Sequence, residues 1–171
     1  MIPQLITIVA KLPKTKLKMI DPIHLLKYVI RPVLKDLDLW SVEAEQLVLG
    51  TACQESKCGE YLVQLGGGPA LGIYQMEPAT HDDIWRNYLP GRAIKYKISD
   101  FAFNAGLDAD EMIGNLYYAT AMCRIHYLRV PEKIPVGLHP QAAYWKKYYN
   151  TPLGAGTINE YINSWERFVG N

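Results

Sequence analysis

The sequence has few cysteines and no excess of charge of one sign, and each shortage excludes a class of protein. Three cysteines among 171 residues are too few for a disulfide framework, and Cys53 and Cys58 are expected on different faces of one helix. The 18 Lys and Arg residues against 17 Asp and Glu leave a net charge of +1, so no nucleic-acid partner is expected, since phosphate contacts need a basic excess. No His-Glu-x-x-His or Cys-x-x-Cys motif is present, so we expect neither a bound metal nor another cofactor.

Long hydrophobic runs are missing as well. The apolar segment over residues 1–10 is shorter than the roughly 20 residues of a membrane span, and Pro3 interrupts it. No basic residues precede it, as they would in a secretory signal peptide. We therefore expect no stable membrane insertion, an N-terminal arm over residues 1–20 and one domain over residues 21–171. To act outside a cytoplasm, such a protein would need a delivery route other than a signal peptide.

The residues that are present suit a single helical domain. Hydrophobic residues make up 49% and charged residues 20% of the chain, as in ordinary soluble folds. Asp21-Pro22 predicts a helix that Pro32 kinks or splits, and Ser41 followed by two acidic residues predicts a second helix. Further helices are predicted over residues 80–89, 109–129, 140–149 and 157–169. No window shows sustained strand alternation, although residues 62–74 fit a short β-hairpin, so the predicted fold class is mainly α.

The helix that begins after Ser41 puts one carboxyl group in an unusual setting. Val48, Ala52 and Glu55 follow one another at steps of four and three, so Glu55 shares the core-facing side of the helix. It also lies in the last turn, since Gly59 is the natural stop. Desolvation and the negative end of the helix dipole both disfavour the carboxylate, so the pKa of Glu55 should rise. A Glu that stays protonated near neutral pH is what a general acid requires.

A glycine-rich segment follows this helix, and the two stretches together resemble a known family. Glu55-Ser56-x-x-Gly59 is followed by three consecutive glycines, then by Gly72-x-x-Gln75 and Pro78-x-Thr80. This ordered set is similar to the signature of the lysozyme-fold lytic transglycosylases, in which Glu-Ser ends a helix and a Gly-Leu-Met-Gln segment follows. It also resembles the goose-type lysozymes, which carry Glu-Ser-x-x-Gly and then Gly-x-Gly-Leu-Met-Gln.

The resemblance implies a lysozyme-like domain that cleaves the β-1,4 bond between N-acetylmuramic acid and N-acetylglucosamine in peptidoglycan. Glu55 would be the catalytic acid and base, and Tyr149 the aromatic residue that hydrogen-bonds near it. Tyr144 is the alternative, because Tyr149-Asn150-Thr151 is a poor match to the family's Ala-Tyr-Asn-Ala-Gly motif. Gly72 and the three glycines at 66–68 are expected to shape the groove floor rather than to stabilise the fold. The expected substrate-binding residues are Ser56, Gly72, Tyr74, Gln75 and Asn150. Ser56 would hydrogen-bond either substrate or backbone, and Gln75 would either contact a sugar or support Glu55.

The sequence is compatible with three different functions. In a transglycosylase, Glu55 protonates the leaving oxygen and then takes the proton of the muramic 6-hydroxyl, so one carboxyl group suffices. An inverting muramidase needs a second carboxylate about 6.5–9.5 Å away to activate water, and Glu77 is the candidate. A non-catalytic glycan-binding module of a virion is the third. The Pro78-x-Thr80 ending favours the transglycosylase.

The expected partner is a peptidoglycan glycan strand, with other virion proteins as further partners. The compact size and the lack of a signal peptide and of wall-anchoring repeats favour a bacteriophage product. Such a protein would reach the bacterial cell wall inside a virion or through a membrane pore at lysis.

Overall fold

The chain folds into helices joined by loops and turns, so the predicted mainly α class is confirmed. The computed structural model describes residues 19–104 and 107–170, and the predicted arm over residues 1–20 lies outside the described residues except for Met19 and Ile20. The α-helices are α1 (Pro22–Leu25), α2 (Arg31–Asp36), α3 (Val42–Ser56), α4 (Pro78–Asp83), α5 (Ile94–Ser99), α6 (Glu111–Gly114), α7 (Leu116–Leu128), α8 (Leu138–Trp145) and α9 (Ile158–Phe168). In the described part, π-helical turns continue α1, α4 and α8 over Leu26–Ile30, Ile84–Tyr88 and Lys146–Asn150.

The predicted helix starts are present as hydrogen bonds. Asp21 Oδ1 accepts two backbone N–H groups of α1, each at 3.0 Å, and Ser41 Oγ accepts one from α3 at 3.1 Å. At α9, the Glu160 N–H donates to Thr157 Oγ1 at 3.2 Å, and the Thr157 N–H donates back to Glu160 Oε2 at 2.7 Å. These bonds satisfy donors that have no partner inside the first helical turn.

Several helix bounds differ from the predicted ones. α4 begins at Pro78 rather than at Thr80, because proline itself suits the first helical position. The predicted helix over residues 109–129 is broken at Asn115, which has an extended backbone and caps α7 with its side chain. Its amide N–H also donates to the Phe101 carbonyl at 2.7 Å. A contact between distant segments therefore decides this break.

Pro32 lies at an interruption of the first helical segment, as predicted, whereas Pro140 does not have its predicted role. The interruption expected at Pro32 is a π-helical turn before it, in which the Arg31 N–H bonds to the carbonyl five residues back. That wider turn accommodates the proline without ending the helical path. Pro140 does not start its helix, since α8 already begins at Leu138, directly after Gly137 at φ +95°.

No strand is present among the described residues, so the hairpin predicted over residues 62–74 is wrong. Val63 and Met76 each form an isolated antiparallel bridge with Leu71. Neither bridge is continued by an adjacent residue pair, so no ladder forms, and Pro69 offers no backbone N–H. The segment is instead a series of turns.

The central helix of the fold is α3. It is buried along most of its length, and the residues from Leu47 to Cys53 are buried on every side of the helix. α9 crosses it so closely that a Cβ on Gly50 would lie 1.9 Å from the Tyr161 hydroxyl oxygen. α7 packs against α3 as well, and the Thr51 and Tyr127 hydroxyls share a hydrogen bond of 2.8 Å. These contacts fix the end of α3 that carries Glu55.

The two longest of the described helices, α3 and α7, have 15 and 13 residues. None of the described helices combines the length and apolar character needed to cross a membrane. The described residues also contain no group of three or more His, Cys, Asp or Glu side chains that could hold a metal ion.

Candidate active site

The end of α3 opens into a cleft of about 630 Å³, a size typical of ligand sites. Its walls come from the turns after α3, from the start of α4 and from the segment that follows α8. Five of the predicted site residues line this cleft, namely Glu55, Gln75, Glu77, Tyr149 and Asn150. The chain therefore brings together residues that lie far apart in the sequence.

Glu55 lies in the last turn of α3 with its side chain partly buried in the cleft. The helix stops at Ser56 because Lys57 adopts a left-handed conformation at φ +53°, so the stop precedes the predicted Gly59. The Tyr61 hydroxyl donates to the Glu55 backbone carbonyl at 2.7 Å, which satisfies one of the free carbonyls at the helix end. The carboxyl group thus projects from a well-anchored backbone.

Trp145 is the hydrogen-bond partner of this carboxyl group. Its Nε1–H donates to Glu55 Oε1 at 2.8 Å, and its indole is fully buried against Tyr161 with ring centroids 5.3 Å apart. A packed indole holds its N–H in one direction, so it orients the carboxyl group. The bond occupies Oε1 and leaves Oε2 to carry a proton. No motif or spacing in the sequence links Trp145 to Glu55.

Burial raises the pKa of Glu55 to about 7, and the hydrogen bond from Trp145 limits that rise. The expectation of a raised pKa is therefore confirmed, with desolvation as its cause. Near neutral pH a large share of the molecules carries a protonated Glu55. Such a group at the wall of a cleft can act as a general acid.

Because the pKa of Glu55 is raised, its contribution to the free energy of unfolding should fall as the pH rises. Glu55→Gln should remove this fall. The ordinary Glu pKa is 4.5, so between about pH 4.5 and 7 the folded chain binds more protons than the unfolded chain. The contribution of Glu55 to the free energy of unfolding therefore falls as the pH rises through this window. The free energy of unfolding of the variant, measured relative to that of the wild type, should increase by on the order of 3 kcal/mol from about pH 4 to pH 8. Urea unfolding of both proteins at the two pH values measures this gain, and a constant difference contradicts it.

Tyr149 forms part of the cleft wall and is held by contacts on two sides. Its hydroxyl donates to the Tyr74 backbone carbonyl at 2.8 Å, and its ring meets His126 edge-on at 4.9 Å. The alternative, Tyr144, does not line the cleft, and its hydroxyl donates to the Glu132 carbonyl at 2.9 Å. Of the two tyrosines, Tyr149 is thus the one at the site.

Gln75 and Asn150 each use one of the two polar groups of their side-chain amide in a hydrogen bond within the protein. Gln75, left-handed at φ +47°, donates from Nε2 to the Gly72 carbonyl at 2.8 Å, which leaves its amide oxygen for a ligand. Asn150 Oδ1 accepts from Lys146 Nζ at 2.8 Å, which leaves its NH₂ group. The cleft therefore offers an acceptor and a donor, the groups that bind hydroxyl and acetamido substituents.

Ser56 and Tyr74 lie beneath the cleft rather than in it. The expectation of substrate contact is therefore wrong for Tyr74, whereas Ser56 forms the backbone hydrogen bonds that were its expected alternative. Ser56 is fully buried, and its Oγ donates to the Ile73 carbonyl at 2.6 Å and accepts the Gly59 N–H at 2.9 Å. Tyr74 is 1% exposed, and its hydroxyl shares a hydrogen bond of 2.8 Å with Thr120. Both side chains hold the cleft walls together rather than face a sugar.

Gly72 also has a structural role, which corrects its expected place on the groove floor. Its backbone is left-handed at φ +72°, and a Cβ there would lie 2.3 Å from the Met112 carbonyl oxygen. Its N–H donates to the Leu62 carbonyl at 2.7 Å. Glycine is required because no side chain fits between this turn and α6.

Glu77 is the second acidic side chain among the described residues that line the cleft. It is exposed and precedes α4 as its N-cap residue, yet its side chain makes no capping hydrogen bond. Its carboxylate is therefore free to face solvent or a bound ligand.

His126 is a cleft residue that sequence reasoning missed. Its Nε2 donates to the Tyr148 carbonyl at 3.0 Å, and its buried Nδ1 has no hydrogen-bond partner among the described residues. Burial lowers the pKa of His126, so the ring is neutral near pH 7. No sequence motif marks this histidine, because its neighbours in the cleft come from distant segments.

The chain was compared with known families, curated proteins and solved structures. No match was found.

Proposed function

We propose that this chain cleaves the β-1,4 bond between N-acetylmuramic acid and N-acetylglucosamine in peptidoglycan, by lytic transglycosylation. The observation that carries the proposal is Glu55, a partly buried carboxyl group with a pKa of about 7 in a cleft. The resemblance of residues 55–80 to lytic transglycosylases supplies the substrate class. The site of action that follows from this substrate is the bacterial cell wall.

In the proposed mechanism Glu55 acts twice. Its protonated Oε2 gives a proton to the glycosidic oxygen while the bond to C1 of muramic acid breaks. The carboxylate that results accepts the proton of the muramic 6-hydroxyl, whose oxygen attacks C1 and closes a 1,6-anhydro ring. Trp145 positions the carboxyl group and stabilises its charge between the two steps, because its N–H already points at Oε1.

The attack of the 6-hydroxyl needs no activated water. An intramolecular nucleophile has a high effective concentration at C1, so a cleft that holds the sugar in place favours it. Gln75 and Asn150, which each keep one amide group free, suit that holding role.

Hydrolysis by an inverting mechanism is the second candidate, and the position of Glu77 favours it. This exposed carboxylate lines the same cleft as Glu55 and has no capping role in α4. In a hydrolase it would activate the attacking water while Glu55 protonates the leaving group.

Replacing Glu77 with Gln separates the two candidates. For a transglycosylase we expect the release of soluble fragments from purified cell-wall sacculi to fall only about two- to fivefold, since the change removes no reacting group. For a hydrolase, loss of the base should lower the rate by about 10²-fold or more. Fragment release by both proteins under identical conditions measures the ratio, and a near-total loss contradicts the transglycosylase.

A further inference from the structure

Two thiol groups are in contact next to the end of α3. The Sγ atoms of Cys53 and Cys58 lie 3.0 Å apart, and both side chains are fully buried. The expectation that they point to different faces of one helix is therefore wrong. Cys123 is also buried, and it makes no such sulfur contact among the described residues.

The end of α3 explains how the two thiols meet. The helix stops at Ser56, and both Lys57 and Cys58 are left-handed, at φ +53° and +56°. The Cys58 N–H donates to the Ala52 carbonyl at 3.0 Å, so the chain turns back over the last helical turn. A continued helix would have carried Cys58 away from Cys53 instead.

We propose that Cys53 and Cys58 form an intrachain disulfide in an oxidising environment. The S–S bond replaces two S–H bonds, and the two protons and two electrons pass to a disulfide oxidant such as oxidised glutathione, which becomes two thiols. The present separation exceeds the disulfide bond length by only about 1 Å, so a small rotation of the side chains closes the bond.

Burial decides when this bond forms. Contact with Cys58 and desolvation both raise the pKa of the Cys53 thiol, so the reactive thiolate is rare in the closed fold. The bond therefore forms while the end of α3 is open, during folding or local unfolding. Once closed, the same burial keeps a reductant away from it.

The disulfide would enclose Glu55. Residues 53–58 form its ring, so the bond would tie the backbone of Glu55 to the left-handed turn that follows it. The same turn is now held by Ser56, whose Oγ bonds to Ile73 and Gly59. The inference rests on the thiol contact alone and stands whichever reaction the cleft performs.

Thiol counting after refolding tests the proposal. The protein is refolded in a buffer of reduced and oxidised glutathione, then alkylated in denaturant and weighed by mass spectrometry. We expect one alkylated cysteine, Cys123, and a proteolytic fragment that links Cys53 to Cys58. Three alkylated cysteines, or a link that involves Cys123, would overturn the proposal.

Two variants supply matched controls. Cys123→Ala should keep the disulfide, whereas Cys58→Ser should give two alkylated cysteines under the same conditions. The oxidised wild type should melt roughly 5 °C above its reduced form, and Cys58→Ser should melt at one temperature in both buffers. An oxidised wild type that melts no higher than its reduced form would contradict the stabilising role, and the wild-type thiol count stands even if a variant does not fold.

Discussion

Glu55→Gln should lower the release of soluble fragments from cell-wall sacculi by at least ~10²-fold, the usual contribution of a general acid. Gln keeps the size of the side chain and can still accept the Trp145 N–H, so the fold should remain intact. What the variant loses is the proton that Glu55 carries near neutral pH because burial raises its pKa to about 7. Initial rates of fragment release by both proteins give the ratio.

The matched control is Glu60→Gln. Glu60 lies in the turns just after α3 and is exposed, and within the described part of the chain its side chain pairs only with Lys57, at 3.5 Å. Such a surface pair contributes little, so activity should stay within about twofold of wild type. If Glu55→Gln is folded by circular dichroism and retains activity within about threefold of wild type, Glu55 is not the acid.

Among the substitutions proposed for this protein, Gly72→Ala should lower the free energy of unfolding the most. The new Cβ would lie 2.3 Å from the Met112 carbonyl oxygen, and the backbone would stay left-handed at φ +72°. Steric overlap with a backbone atom and the unfavourable φ together should lower the free energy of unfolding by roughly 3 kcal/mol or more. Urea unfolding of the wild type and the variant measures the change.

Gly66→Ala separates the two causes of that loss. Gly66 is also left-handed, at φ +85°, but a Cβ there would have no neighbour within 4 Å. Only the unfavourable φ remains, so the loss should be about 1 kcal/mol. Equal losses in the two variants would mean that the contact with Met112 is unimportant and that Gly72 does not hold the turn against α6.

The parts of this site that are predictable from sequence depend on local rules. Ser41 caps α3, and spacing along that helix puts Glu55 on its core-facing side near the end, where burial raises its pKa. Thr157 and Glu160 likewise form the predicted capping box. Each of these features is decided within one or two helical turns.

The remaining parts depend on contacts between distant segments. Trp145 lies 90 residues from Glu55, and no spacing rule links an indole to a carboxyl group over that distance. Asn115 breaks a predicted helix because Phe101 accepts its amide N–H. Gly72 lies in the segment that resembles lytic transglycosylases, yet the structural reason for glycine at that position is a carbonyl in α6. Contacts between distant segments therefore decide the roles of these three residues, and a sequence pattern does not show such contacts.

The most direct test of the central claim is the mass of the fragments that the wild-type protein releases from purified peptidoglycan. The claim is that Glu55 both protonates the leaving oxygen and activates the 6-hydroxyl of the same muramic acid. It predicts fragments that end in 1,6-anhydromuramic acid and lack a reducing end. Fragments heavier by one water, with a reducible muramic acid at the end, would contradict it and identify hydrolysis instead.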